Sequence, residues 1–432
     1  MALSYLLPFS KGRSGWGSSL EVISKTHPTS VLPSKEREED DSTDKPKVMS
    51  FSRKKFILVL LSIGLFLPTA SFAAAAKLEY SAWMPYWKKA SSTADILPHL
   101  AAFSEVSPFS YTVRTDGTIA DTAKITQEPW SSFLSVARAK KVKIIPSILW
   151  TDSTAMHKVL RTYTLRIAHE KAIMKIVTEN NFDGIDIDYE NKKAETKKYF
   201  SYFLQELQIA LHKKNKILVC TIEPRTPLDS RFKKIPTDIA YANDYFALNA
   251  YCDRVRIMTY DQAIIDLQLN AEKGSSTPYA PVADPLWVKK VVKLANNAIK
   301  LKKIIIGVPT YGYEFRVTPD GKWLDYERLR SINHADAVAL AQKVGATPVR
   351  NSAGELSFTY YSPNDVATTT PSTSTEQFAS STSAVQPFRL VWWSDASAIA
   401  DKINLAKVLG VRGVAVFKID GGEDRAIWNT VK

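Results

Sequence analysis

The run Phe182-Asp183-Gly184-Ile185-Asp186-Ile187-Asp188-Tyr189-Glu190 places four acidic residues in one short apolar segment. In an extended chain the side chains alternate, so Asp186, Asp188 and Glu190 share a face. Carboxyl groups crowded on one low-dielectric face cannot all ionise easily. At least one is pushed up, and such a group donates a proton near neutral pH. Glu190 stands last on the strand, so it is the expected donor to a leaving oxygen. A solvated acidic loop is the competing reading for any one of these acids, but the spacing of the whole set argues against it. Asp183 is expected to tie the strand end. No His/Cys/Asp cluster has the spacing of a metal site, and the 6 histidines are scattered. Neither metal nor other cofactor is expected.

Elements must exist that aim these acids at a substrate. Runs rich in β-branched and aromatic residues recur at Glu79–Met84, Glu105–Tyr111, Lys143–Ile148, Gly184–Asp188, Ile217–Ile222, Asp253–Met258, Lys303–Pro309 and Gly413–Ile419. Helical spacing of apolar residues marks Thr162–Asn180, Ala194–Lys214, Pro285–Leu301 and Asp395–Leu409 between them. Alternating strands and helices predict an α/β fold with a parallel sheet, and eight strands close a (β/α)8 TIM barrel. The last two strands are far apart in sequence. The segment between them, Tyr313–Val391, is expected to form a small α+β insertion, with a strand at Leu356–Tyr361 and a helix at Asp336–Val344. Its Ser/Thr-rich tract Ala367–Gln386 cannot pack a core and reads as an exposed loop. Barrel active sites lie at the C-terminal ends of the strands. Glu190 belongs at that mouth, as do Glu223 and Arg225 just past strand five, which either meet substrate or pair with each other.

Ahead of the barrel, residues 1–48 are polar, carry a mixed charge run and read as disordered. From Met49 a basic stretch, Arg53-Lys54-Lys55, precedes the apolar run Phe56–Leu67 and then Pro68 and an alanine-rich end. This is the pattern of a secretory signal peptide over residues 49–76, starting at a second methionine that is the expected true start. An uncleaved membrane anchor is the alternative, and only that case would bring the protein to a membrane. The catalytic unit is then residues 77–432, secreted or held at the cell surface. The formal net charge is +13, which could favour acidic polymers, but the lysines are spread out and no nucleic-acid fingerprint is present. Two cysteines, Cys220 and Cys252, cannot make a disulfide framework. Buried free thiols are the expectation and a single bridge is the alternative. The protein is expected to be a monomer.

Asp-x-x-Asp-x-Asp-x-Glu on the fourth strand resembles the signature of glycoside hydrolase family 18, the chitinase-type barrels. Met258-Thr259-Tyr260-Asp261 after strand six and Gly307-Val308-Pro309-Thr310-Tyr311-Gly312 after strand seven are similar to further segments of that family, and the insertion falls where many members carry one. The flavour is that of bacterial spore-cortex and cell-wall hydrolases, carried by Val106–Tyr111 with Asp116-Gly117, by Ala280-Pro281 with Leu286-Trp287-Val288, and by Gly421–Asp424. The resemblance implies substrate-assisted cleavage of β-1,4 bonds at N-acetylglucosamine in a chitin-like or peptidoglycan-like polysaccharide. Glu190 would be the acid/base. Asp188 would hold the acetamide N–H, with Asp186 sharing a proton or hydrogen bond with it. Tyr260 would bond the acetamide oxygen, and Asp261 would help fix the sugar. Phe417 and Tyr311 are implied substrate-binding residues. Sugars stack on exposed aromatics, so Trp83, Tyr86 and Trp87 after strand one, and Trp392 and Trp393, are further candidates, with ordinary packing as the alternative for each and the favoured reading for Trp392 and Trp393. Two positions depart from the family. Pro146–Trp150 lacks a Ser-x-Gly-Gly, and Phe417 stands where the family usually has the tryptophan that floors the sugar site. A non-catalytic, lectin-like protein on the same barrel is the alternative reading.

Overall fold

The structure is a computed structural model, and it describes residues 77–263, 265–274, 277–320, 323–365 and 386–431. The expected signal segment and nearly all of the Ser/Thr-rich tract lie outside the described residues.

Eight parallel strands form the core: β1 (Glu79–Pro85), β2 (Glu105–Val113), β3 (Ser147–Trp150), β4 (Gly184–Tyr189), β5 (Ile217–Ile222), β6 (Arg254–Ile257), β7 (Ile304–Pro309) and β8 (Gly413–Phe417). The ring closes because β1 pairs with both β2 and β8. The expected (β/α)8 barrel is therefore present. Strands buried on both faces must be apolar throughout apart from functional positions, and β4 and β7 are buried along their whole length. The third predicted strand is broken. Lys143–Ile144 pairs with β2, and β3 begins only after Pro146. Proline has no N–H to give to a ladder, although its carbonyl still accepts from Asp186 N at 3.0 Å. Strand β8 stops at Phe417, because Lys418 N turns to Thr310 Oγ1 at 3.0 Å.

Helices surround the ring, and their ends follow from local chemistry. Asp284 caps the helix Pro285–Asn296 through Leu286 N, with proline in its first turn. Asp395 caps Ala396–Leu409, and Gly410 at φ 68 ends it in the left-handed region. The helix layer also fixes the facing of β4. Tyr189 Oη lies 2.5 Å from His169 Nε2, and its ring stacks on Phe203 at 5.6 Å. Both partners sit on outer helices, Tyr163–Glu179 and Lys197–His212. With Tyr189 turned outward, alternation turns Asp186, Asp188 and Glu190 inward.

Between β7 and β8 a second sheet is inserted. Its five antiparallel strands run in the order Trp323–Asn333, Tyr311–Asp320, Phe388–Trp393, Leu356–Tyr360 and Val349–Arg350. The helix His334–Val344 covers one face through Ala337 and Ala341, against Ile332, Phe358, Val391 and Trp393. Glu355 stitches the insertion to the barrel. It accepts from Trp392 Nε1 at 2.8 Å, Lys402 Nζ at 3.1 Å, and the backbone N–H groups of Val282 and Ala283. Trp392 and Trp393 are 1% and 0% exposed. They are packing residues, the favoured reading of the two, and not cleft aromatics.

The free-thiol expectation is also corrected: Cys220 on β5 and Cys252 just before β6 form a disulfide, with Cα atoms 6.0 Å apart. The two strands are neighbours, and Cys220 pairs in register with Val255. Among the described residues no helix is long and apolar enough to cross a membrane.

Candidate active site

Asp186 is wholly buried and accepts hydrogen bonds from four side chains. Ser147 Oγ on β3 and Thr221 Oγ1 on β5 each lie at 2.7 Å, Arg256 Nη1 on β6 at 2.9 Å, and Trp83 Nε1 on β1 at 3.2 Å. Arg256 also donates to Glu105 of β2 at 2.6 Å, and Arg254 stands 2.9 Å from the same carboxylate. An ion cluster thus fills the barrel beneath the mouth. Burial pushes Glu105 up, but Arg256 and Arg254 outweigh it and hold the carboxyl below its usual range.

Asp188 sits one step closer to the mouth. Its Oδ1 is buried and has no hydrogen-bond partner among the described residues. Burial, then Glu190 and Asp186, push its carboxyl well above the usual range. The sequence reading paired Asp186 with Asp188. In the structure Asp186 is bonded instead by Arg256, Trp83, Ser147 and Thr221, and Asp188 Oδ1 stands unbonded above it.

Glu190 follows β4 directly and is half-buried, its backbone N–H bonded to Trp150 O at 2.8 Å. Burial and the neighbouring Glu223 push its carboxyl up to about 7, with Lys192 opposing and Asp261 adding. A carboxyl with that value is largely protonated in mildly acidic solution and gives its proton up near neutrality.

The aromatic floor draws on four segments of the chain. The rings of Tyr260, past β6, and Phe417, ending β8, stack at 5.0 Å and 12°. Trp83 meets Phe417 edge-on at 5.7 Å, and Tyr311 meets it edge-on at 5.8 Å. Gly307 on β7 makes room for Tyr260, since a Cβ there would lie 2.6 Å from its ring. Trp83 is only 2% exposed, so it supports the floor from below, whereas Trp87 is 39% exposed at the end of β1. Asp261, at φ 60, accepts from Tyr311 Oη at 2.7 Å and Tyr313 Oη at 2.5 Å. Burial pushes Asp261 up and these two hydroxyls pull it down. Asp183 accepts from Ile144 N at 2.8 Å and ties β4 to the neighbouring strand.

The structure therefore brings Asp186, Asp188, Glu190, Tyr260, Asp261, Tyr311, Phe417 and Trp83 to one mouth. Sequence reasoning did not single out Ser147, Thr221, Glu105, Arg256 or Tyr313 as site residues. Arg254 and Arg256 did leave a signal: two cations alternating with valine and isoleucine on a strand that has no polar face to spend them on.

A closed barrel with a column of carboxyls and an aromatic floor at its C-terminal mouth is the architecture of a barrel glycosidase. The family model of glycosyl hydrolases family 18 matches residues 80–422, and the chain belongs to that family and is a glycoside hydrolase. The uncharacterized glycosylase YvbX of Bacillus subtilis is 25% identical over 69% of this chain and 77% of its own length. The cortical fragment-lytic enzyme of Bacillus anthracis is 24% identical over 72% of this chain, and the match spans 63% of that enzyme. Among solved structures, a chitinase from Chromobacterium violaceum superimposes with a TM-score of 0.62 at 22% identity, covering 82% of this chain and 98% of its own.

Proposed function

We propose that the protein is an exported, retaining glycosidase that cuts β-1,4 bonds at N-acetylglucosamine, with Glu190 as acid and base. The observation that carries this is the half-buried Glu190 carboxyl, pushed up to about 7, beside a buried Asp188 oxygen that lacks a donor. In the first step Glu190 gives its proton to the glycosidic oxygen and the bond to C1 breaks. The substrate's own acetamide oxygen closes onto C1, and the acetamide N–H donates to Asp188, satisfying its unbonded oxygen. Tyr260 orients the acetamide over the floor it forms with Phe417. In the second step Glu190 takes a proton from water, which attacks C1 from the face the leaving group occupied while the bond from C1 to the acetamide oxygen breaks and the acetamide is restored. The product keeps the β configuration.

A relative named for lysing cortical fragments and a structural neighbour named a chitinase support peptidoglycan-like and chitin-like polymers as the two substrate candidates. The Cys220–Cys252 bridge supports export, since structural disulfides persist in oxidising compartments. A sugar-binding protein without turnover is the second reading, favoured by Phe417 at the floor.

The test is to incubate residues 77–432 with chito-oligosaccharides and with purified peptidoglycan, alongside Glu190→Gln. Hydrolysis products of β configuration, reduced at least about a hundredfold in the variant, are expected. Binding of either polymer without any product would replace this reading with the second.

A further inference from the structure

Glu223 lies just past β5 at the same mouth, and its carboxylate is held on three sides. Asn191 N donates to Oε1 at 2.8 Å, Asn243 Nδ2 donates to Oε2 at 2.7 Å, and Lys192 Nζ stands 3.4 Å from Oε2. Asn191 is the residue after Glu190 and is itself held at φ 57, in the left-handed region. The turn that carries Glu190 therefore hangs on Glu223. Lys192, on the same turn, has a side chain only 1% exposed and also bonds the Tyr189 carbonyl. Arg225 does not serve as the counterion in its place. Its guanidinium lies between the rings of Tyr241 and Tyr245, at 3.9 and 4.4 Å, and donates to Asn243 O.

We propose that Glu223 is a positioning residue for the acid/base step: it fixes the turn after Glu190, and its permanent negative charge keeps the proton on Glu190. The proposal rests on the reading of Glu190 as the acid. Two carboxyl groups in one site take separate roles when their surroundings differ. For Glu223, burial is outweighed by Lys192 and by its N–H donors, which hold the carboxyl below its usual range. For Glu190 burial is the largest influence, and Glu223 is the largest charge acting on it. The other groups facing Glu190 are Asp188 from β4, Tyr260 and Asp261 from the turn after β6, and Lys192 on its own turn. Of these, Lys192 opposes Glu223. On top of burial, which is the largest cause, Glu223 raises the proton affinity of Glu190 and Lys192 lowers it.

Two variants of opposite charge change test this. Glu223→Gln keeps the side-chain size and an acceptor for Asn191 N–H but removes the negative charge. Lys192→Met removes the positive one. The readouts are the alkaline limb of kcat/KM on chito-oligosaccharide or peptidoglycan, and the titration of the Glu190 carboxyl by carbon-13 NMR of glutamate-labelled protein, its resonance identified by loss in Glu190→Gln. In Glu223→Gln both the limb and the titration should move down by about one pH unit, and in Lys192→Met both should move up. A titration that stays put in both variants overturns the proposal, even if activity falls, because a purely structural role would weaken the enzyme without moving it. If the wild type turns over neither polymer, the catalytic reading fails, and the titration alone still decides whether Glu223 holds the proton on Glu190.

Discussion

Glu190 and Glu223 are the same residue type a short distance apart, yet their surroundings drive them to opposite charge states. Donors make the difference: the Glu223 carboxylate meets two N–H groups and an ammonium, whereas Glu190 meets burial and a like charge. A carboxyl raised in the folded state carries a cost that depends on pH. At pH 4 the folded protein holds the Glu190 proton and the unfolded chain largely does too, so the cost is small. Above the unfolded value the chain gains stability by unfolding and ionising, and the loss is complete once pH passes about 7. Glu190→Gln should therefore match the wild type in stability near pH 4 and exceed it near pH 8 by about 1–3 kcal/mol. Urea unfolding at the two pH values would show this, and equal stabilities at pH 8 would contradict a raised Glu190. The acidic face was legible in the sequence because strand alternation alone puts Asp186, Asp188 and Glu190 on one side. Glu223 was legible as a neighbour at the same mouth, but its bonds to Asn191, Asn243 and Lys192 were not, because they depend on the adjacency of β4 and β5.

At the scale of elements, β6 carries the most unusual load. Arg256 is 0% exposed and bridges Asp186 of β4 to Glu105 of β2, while its guanidinium lies 5.0 Å from the Trp83 ring of β1. One side chain thereby links four strands across the inside of the ring. Removing one partner of a buried ion pair leaves an uncompensated charge, which costs about 3–5 kcal/mol. Arg256→Met should lose stability on that scale, and adding Glu105→Gln should restore part of it by removing a buried carboxylate left with Arg254 as its close cation. Denaturant unfolding of the single and double variants measures both. A double variant no more stable than the single one would mean that Glu105 draws little from Arg256. The strands themselves were readable from their apolar runs. The cross-barrel bonds were not, since nothing local tells Arg256 that Asp186 and Glu105 face it. The glycine of the β7 segment belongs to the same class: Gly307 is required by the ring of Tyr260, from the neighbouring strand, and not by any turn of its own.

For the whole molecule, the barrel was legible because eight apolar runs alternate with amphipathic helices, a pattern that few architectures satisfy. The disulfide was not, because two cysteines far apart in sequence become partners only once β5 and β6 are known to be adjacent. Closing a loop with a sequence separation of 32 is worth about 3–4 kcal/mol in the chain-entropy account. Replacing both cysteines by alanine should lower stability by roughly that amount while leaving the mouth of the barrel intact. Thermal unfolding with and without reductant, in wild type and double variant, tests it, and a reductant-insensitive wild type would count against a structural bridge.

Asp261 hangs from the hydroxyls of Tyr311 and Tyr313, and both belong to the first strand of the inserted sheet. The insertion is thus no detachable accessory whose loss would leave a trimmed but working barrel. Anyone exchanging it as a cassette with that of a relative would cut the bonds that hold Asp261 at the barrel mouth if the joint fell before Tyr313. The sheet is wired to the barrel further along as well, through Glu355 to Val282, Ala283 and Lys402, so an exchanged sheet must carry those bonds with it.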